Sequence, residues 1–148
     1  MSERTQVRFK VYSQSSGLLG ADINLPYNLI DFNVGGGTYD TTNYTYTIPI
    51  NGTYLIGATH MRGANSGSGQ TILIVNRGAT KREINLTQHT LTGMSGLTLI
   101  HSTMYQFLAG DNIYVYCQYS YTRVAMNMET YTGNDIKNSF WGVRLDWD

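Results

Sequence analysis

Apolar and polar positions alternate with a period of two in short stretches along most of this chain. Nowhere does a sustained run place apolar residues at the i, i+3, i+4, i+7 spacing of an amphipathic helix. The pattern predicts an all-β fold. Val7, Phe9 and Val11 alternate with Arg8 and Lys10, and further strands are expected at 29–32, 44–50, 53–61, 71–75, 83–88, 97–107, 113–121, 124–130 and 140–145. Breaks rich in glycine and asparagine separate them, among them Gly35-Gly36-Gly37, 63–69, 76–78, 93–96 and Gly110-Asp111-Asn112. Turns at this frequency point to a sandwich or jelly roll. Asn51-Gly52, between two strand candidates, reads as the turn of a tight hairpin. Pro49 cannot donate to a ladder, so it is expected at an edge or bulge.

Two stretches are apolar on both faces. In the later one Ile113, Val115 and Cys117 share one face, and Tyr114 and Tyr116 the other. In the earlier one Tyr54, Ile56 and Ala58 point one way, and Leu55, Gly57, Thr59 and Met61 the other. A strand apolar on both faces must be covered twice. The plain alternative for Tyr114 and Tyr116 is that they are exposed strand tyrosines, a common occurrence.

Composition narrows the function classes. Ten Lys and Arg balance ten Asp and Glu, so the net charge is zero, and charged residues make up only 14% of the chain while 12% is aromatic. Disordered chains show the opposite balance, so one folded domain over 7–148 is expected, preceded by a short attachment segment at 1–6. Without clustered cations, nucleic acid and anionic membrane surfaces are not expected partners. No apolar run reaches the roughly 18 residues of a membrane span. The start MSERTQVRFK has no apolar stretch of the kind a signal peptide needs.

Catalytic and metal motifs are missing. His60, His89 and His101 have no zinc-ligand spacing, and Cys117 lies within an apolar alternation that fits a packed thiol better than a nucleophile. Asp22, Asp31, Asp40, Asp111 and Asp135 fall in or beside predicted turns, where a hydrogen bond to nearby backbone is the ordinary role. No cofactor is expected. Calcium stays open as a loop ligand, although no Asp-x-Asp-x-Asp run concentrates oxygen donors.

Several segments, in order, carry a further signal: Leu29-Ile30-Asp31-Phe32, Tyr39-Asp40, TYTIPINGTY from Thr45 to Tyr54, FLAGDNIYV from Phe107 to Val115, and NSFWGVRL from Asn138 to Leu145. Their order and spacing resemble the globular head of complement C1q and its relatives, a family similar to the tumour necrosis factor group. Tyr46 stands where that family carries a phenylalanine before the proline, and Ile56 and Val143 stand where it carries aromatics. The resemblance implies a jelly-roll sandwich of about ten strands that assembles as a compact trimer and binds ligands through its loops. The trimer would be covered at Tyr114, Tyr116, Leu55 and Met61. Ligands would be met at loop residues Asn65, Ser66, Gln88, His89, Tyr131, Asn134 and Asp135, where polar groups stand near an aromatic.

No collagen-like Gly-x-y stalk precedes Val7. The reading at this stage is a non-enzymatic homotrimeric module on an outer surface. One form is a virion component, as a capsid decoration or fibre head held by a capsid or fibre protein. The alternative is a secreted lectin or adhesin that recognises cell-surface glycan or protein. The enzymatic rival, a jelly-roll metal enzyme using the histidines, has no motif behind it.

Overall fold

Alternation becomes eleven strands in the computed structural model, which describes residues 6–13, 22–62, 67–91, 97–118 and 138–146. They are β1 (Arg8–Ser13), β2 (Ile23–Asn24), β3 (Leu29–Val34), β4 (Thr38–Asp40), β5 (Thr45–Thr47), β6 (Gly52–Arg62), β7 (Gly67–Arg77), β8 (Thr80–Leu91), β9 (Leu97–Phe107), β10 (Asn112–Gln118) and β11 (Asn138–Arg144). All pairings are antiparallel. One sheet has the order β3-β1-β11-β6-β9; the other runs β4-β5-β10-β7-β8, with β2 paired to β10. The strand expected at 124–130 lies outside the described residues.

Side chains of one parity fill the space between the sheets. Phe9, Val11, Tyr54, Ile56, Phe107 and Phe140 come from the five-stranded sheet, and Tyr46, Leu73, Val75, Ile113, Val115 and Cys117 from the other. Aromatic rings form the centre: Phe9 stacks on Tyr46 at 3.7 Å and meets Phe140 edge-on at 5.1 Å. Buried Tyr27 and Tyr54 and half-buried Tyr39 place their hydroxyls on backbone carbonyls, Tyr27 on Thr59, Tyr39 on Tyr27 and Tyr54 on Ile50. Burial pushes the Tyr54 phenol up to about 12. Tyr46 is different, because its buried hydroxyl has no partner among the described residues. It is an aromatic ring with one oxygen too many for its site.

The Asn51-Gly52 hairpin is not formed. β5 belongs to one sheet and β6 to the other, so this dipeptide carries the chain between sheets. Pro49, two residues past the end of β5, withholds a donor there. Ile48 N–H instead donates to Asp111 O and Ile48 O accepts from Gly110 N–H, tying the departing chain to the turn before β10. Asn51 Oδ1 accepts from Ala109 N–H at 2.7 Å, so this side chain braces the crossing. A true two-residue turn occurs at Gly78-Ala79 between β7 and β8, where Gly78 has φ +59°. Of the aspartates expected in turns, Asp40 and Asp111 bond nearby backbone, Asp31 lies within β3, and Asp135 falls outside the described residues. Asp40 Oδ1 accepts from Thr42 and Asn43 N–H, and these bonds hold its carboxyl below the ordinary value.

Candidate functional site

The two sheets turn different surfaces outward. On the five-stranded sheet the outward positions follow from register: Val34 and Phe32 on β3, Arg8 and Lys10 on β1, Val143 and Trp141 on β11, Leu55 and Thr59 on β6, and Met104 and Ile100 on β9. Ile100 is 71% exposed and Met104 66%, while Phe32 and Val34 are also exposed. Leu55 pairs with Met104 on one side and Val143 on the other, forming one apolar row across three strands. Gly57 lies beneath the Trp141 ring, where a Cβ would meet ring carbon Cζ2 at 2.2 Å. A glycine there lets the indole lie flat on the sheet. Beside it runs a groove of about 500 Å³ lined by Arg8, Lys10, Phe32, Ser139, Trp141 and Val143. The Arg8 guanidinium sits 5.5 Å from the Phe32 ring centre.

On the other sheet the outward apolar side chains of β7 and β10 are already packed, while Leu86 on β8, opposite Ile72, is 43% exposed. Tyr114 pairs with Ile74 and Tyr116 with Ile72. Ile72 and Ile74 are buried and Tyr114 is only 8% exposed, with Tyr116 against them. Tyr114 donates a long hydrogen bond to Asn76 Oδ1, and the Lys81 ammonium lies 5.2 Å from the Tyr116 ring centre.

The four residues expected at a trimer contact are therefore not brought together. Leu55 faces outward on the five-stranded sheet, and Met61 holds the same register parity on β6, opposite Thr98. Tyr114 and Tyr116 lie on the far side of the sandwich. Ile100 and Met104, absent from the residues expected there, are the most exposed large apolar side chains among the described residues of the first face. The signal available was the β9 alternation itself, in which Ile100 and Met104 oppose His101, Tyr105 and Phe107.

The two ends of the sandwich also differ. Arg144 N–H donates to Val7 O and Thr53 N–H to Asp146 Oδ2, so the start of β1 and the end of β11 leave the molecule at one end. That end is held by the Arg77–Asp111 ion pair at 2.7 Å, with Asp111 also accepting from Leu108 N–H. Burial pushes the Asp111 carboxyl up, but the bonds from Arg77 and Leu108 outweigh it and hold it low. At the opposite end β6 stops and β7 begins, β8 stops and β9 begins, and β10 stops and β11 begins.

Of the expected ligand contacts, Gln88 is exposed in β8, and His89 follows it in the strand. Asn65, Ser66, Tyr131, Asn134 and Asp135 lie outside the described residues. Cys117 is buried in the core. Among the described residues no three His, Cys, Asp or Glu gather as a metal-ligand group, and no helix is long and apolar enough to cross a membrane.

No protein-family model matches the chain, and no curated protein matches it in sequence. Solved structures do match in shape. Murine APRIL superposes with a TM-score of 0.71 over 95% of this chain and 99% of its own, at 9% identity. Eiger TNF of S. frugiperda gives 0.70 over 98% and 94%, at 11% identity. The globular domain of zebrafish complement 1qA protein gives 0.68 over 96% and 98%, at 10% identity. With its two antiparallel sheets and aromatic core, this chain has the C1q/TNF-like jelly-roll fold.

Proposed function

We propose that this chain is a non-enzymatic homotrimeric head module that associates through the outward face of the β3-β1-β11-β6-β9 sheet. The observation that carries the reading is the apolar row on that face, where Ile100 and Met104 stand 71% and 66% exposed beside Leu55. Apolar surface of this kind marks a contact with another molecule. The face is not self-complementary: β9 carries protruding aliphatic side chains and β1–β11 carry an aromatic groove with two cations. Contacts between unlike patches close into rings rather than two-fold dimers, which accords with a trimer. Light scattering on the purified chain tests this. About 50 kDa, three times the chain mass of 16.6 kDa, is expected; a monomer refutes it.

In this reading the trimer is displayed on an outer surface such as a virion, attached at the end where Val7 and Arg144 meet. The strand ends at Arg62 and Gly67, Leu91 and Leu97, and Gln118 and Asn138 then lie at the end away from the attachment. The same polarity serves a secreted lectin or adhesin, whose ligand would be met at that loop end by Gln88, His89 and the loop residues Asn65, Ser66, Tyr131, Asn134 and Asp135. A glycan array separates the two roles. Selective binding by the trimer favours the lectin, and none at high protein concentration favours display.

A further inference from the structure

Among the described residues β8 and β9 each end their own sheet, and they lie against one another along one edge of the sandwich without sharing a ladder. His101 and Asn85 join them. His101 Nδ1 is 3.2 Å from Asn85 Oδ1, and Asn85 Nδ2 donates to Ser102 O at 3.4 Å. That second bond fixes which way the amide points and turns Oδ1, an acceptor, toward the imidazole. Nδ1 must therefore carry the proton, and Nε2 a bare lone pair.

Nε2 is buried without a partner among the described residues, in a side chain only 6% exposed. A bare lone pair tolerates that setting. A proton on Nε2 would place a charged N–H donor there with nothing to accept it. We propose that the His101–Asn85 pair is an acid-operated clasp: neutral, it ties β9 to β8, and protonation frees that edge together with the β9 face through which copies associate. The clasp itself stands on the geometry of the two strands; its effect on assembly rests on the trimer reading above.

Burial lowers the His101 value from 6.5 to about 4, and no neighbouring charge contributes. On β6, Tyr54 is engaged with Ile50, and His60 lies two positions beyond Ala58, the register partner of His101. On β8 the titratable residues are Lys81, Arg82, Glu83 and His89; the first three are exposed, and Arg82 reaches the Tyr105 hydroxyl of β9. Across the core stand Tyr27 and Cys117, both buried. The sign follows from the lowered value. The folded state resists taking the proton, so stability is full above pH about 6.5 and is lost as pH falls toward about 4.

The test combines light scattering and far-ultraviolet circular dichroism from pH 7.5 to 4.0 with imidazole NMR on the wild-type chain. The expected result is the Nδ1–H tautomer at neutral pH, and a threefold fall in mass in the acid window while the strand signal persists. His101→Gln, which cannot titrate, keeps the full mass to pH 4.0. Asn85→Asp, whose carboxylate compensates the imidazolium charge through Nδ1–H, moves dissociation to lower pH. Dissociation of His101→Gln at the wild-type pH overturns the clasp, as does an Nε2–H tautomer or titration near 6.5. Should His101→Gln not fold, the wild-type tautomer and titration decide alone. A monomer at pH 7.5 refutes the trimer reading separately, and the imidazole data still judge the clasp.

Discussion

The outer faces of the two sheets carry comparable apolar side chains and put them to different use. On the β4-β5-β10-β7-β8 sheet, Tyr114 and Tyr116 lie directly opposite Ile74 and Ile72, and cross-strand packing leaves the two isoleucines buried. On the β3-β1-β11-β6-β9 sheet, Met104 opposes Leu55 and Ile100 opposes Thr59 at the sheet's edge, and both β9 side chains stay in solvent. Strand position makes the difference. Among the described residues β10 and β7 are interior strands with neighbours on both sides, whereas β9 ends its sheet. Outward hydrophobicity is thus satisfied within the chain across β10 and β7 on one face, with Leu86 of β8 still exposed, and left for a partner on the other.

Charging the β9 face should give the largest effect. The double variant Ile100→Asp, Met104→Lys is expected to lower the solution mass threefold at micromolar concentration while leaving the circular dichroism unchanged, because both positions are exposed within one chain. An unchanged mass would move the association surface elsewhere. Tyr114→Ala should do the reverse. Losing the ring against Ile72 and Ile74 is expected to cost about 2–4 kcal/mol in denaturant unfolding, with the mass unaltered at neutral pH. A dissociated but equally stable protein would show that the two faces had been assigned the wrong way round.

Smaller again is Tyr46→Phe, which touches neither face. Removing an unpartnered buried hydroxyl while keeping the ring stacked on Phe9 should raise stability by about 1 kcal/mol and leave assembly as it was. A loss of stability would mean that the oxygen is bonded in solution.

The long strands were legible in the sequence because alternation over many residues leaves little doubt about which side faces in. Tyr54, Ile56 and Ala58 are buried on β6, and Ile113, Val115 and Cys117 on β10, as their parity requires. β2 and β4 were not legible, since segments of two and three residues are too short to alternate. Asn51-Gly52 misled for a physical reason: the dipeptide bends the chain readily, but whether the next strand returns to the same sheet depends on contacts with Ala109 and Asp111, far away in sequence. The candidate site was half legible. Leu55 stands on the outward face of the β9 sheet, but nothing local to Tyr114 or Ile100 tells which will find an isoleucine across the ladder and which will lie at an edge.

Hydrogen peroxide oxidation of Met104, followed residue by residue in the wild-type protein, tests the central claim most directly. A thioether 66% exposed in the single chain oxidises nearly as fast as free methionine unless another molecule covers it. The trimer account predicts slow oxidation at micromolar protein, at least tenfold below free methionine, and fast oxidation in the Ile100→Asp variant. Met104 reacting at the free-methionine rate in the wild-type protein would contradict it.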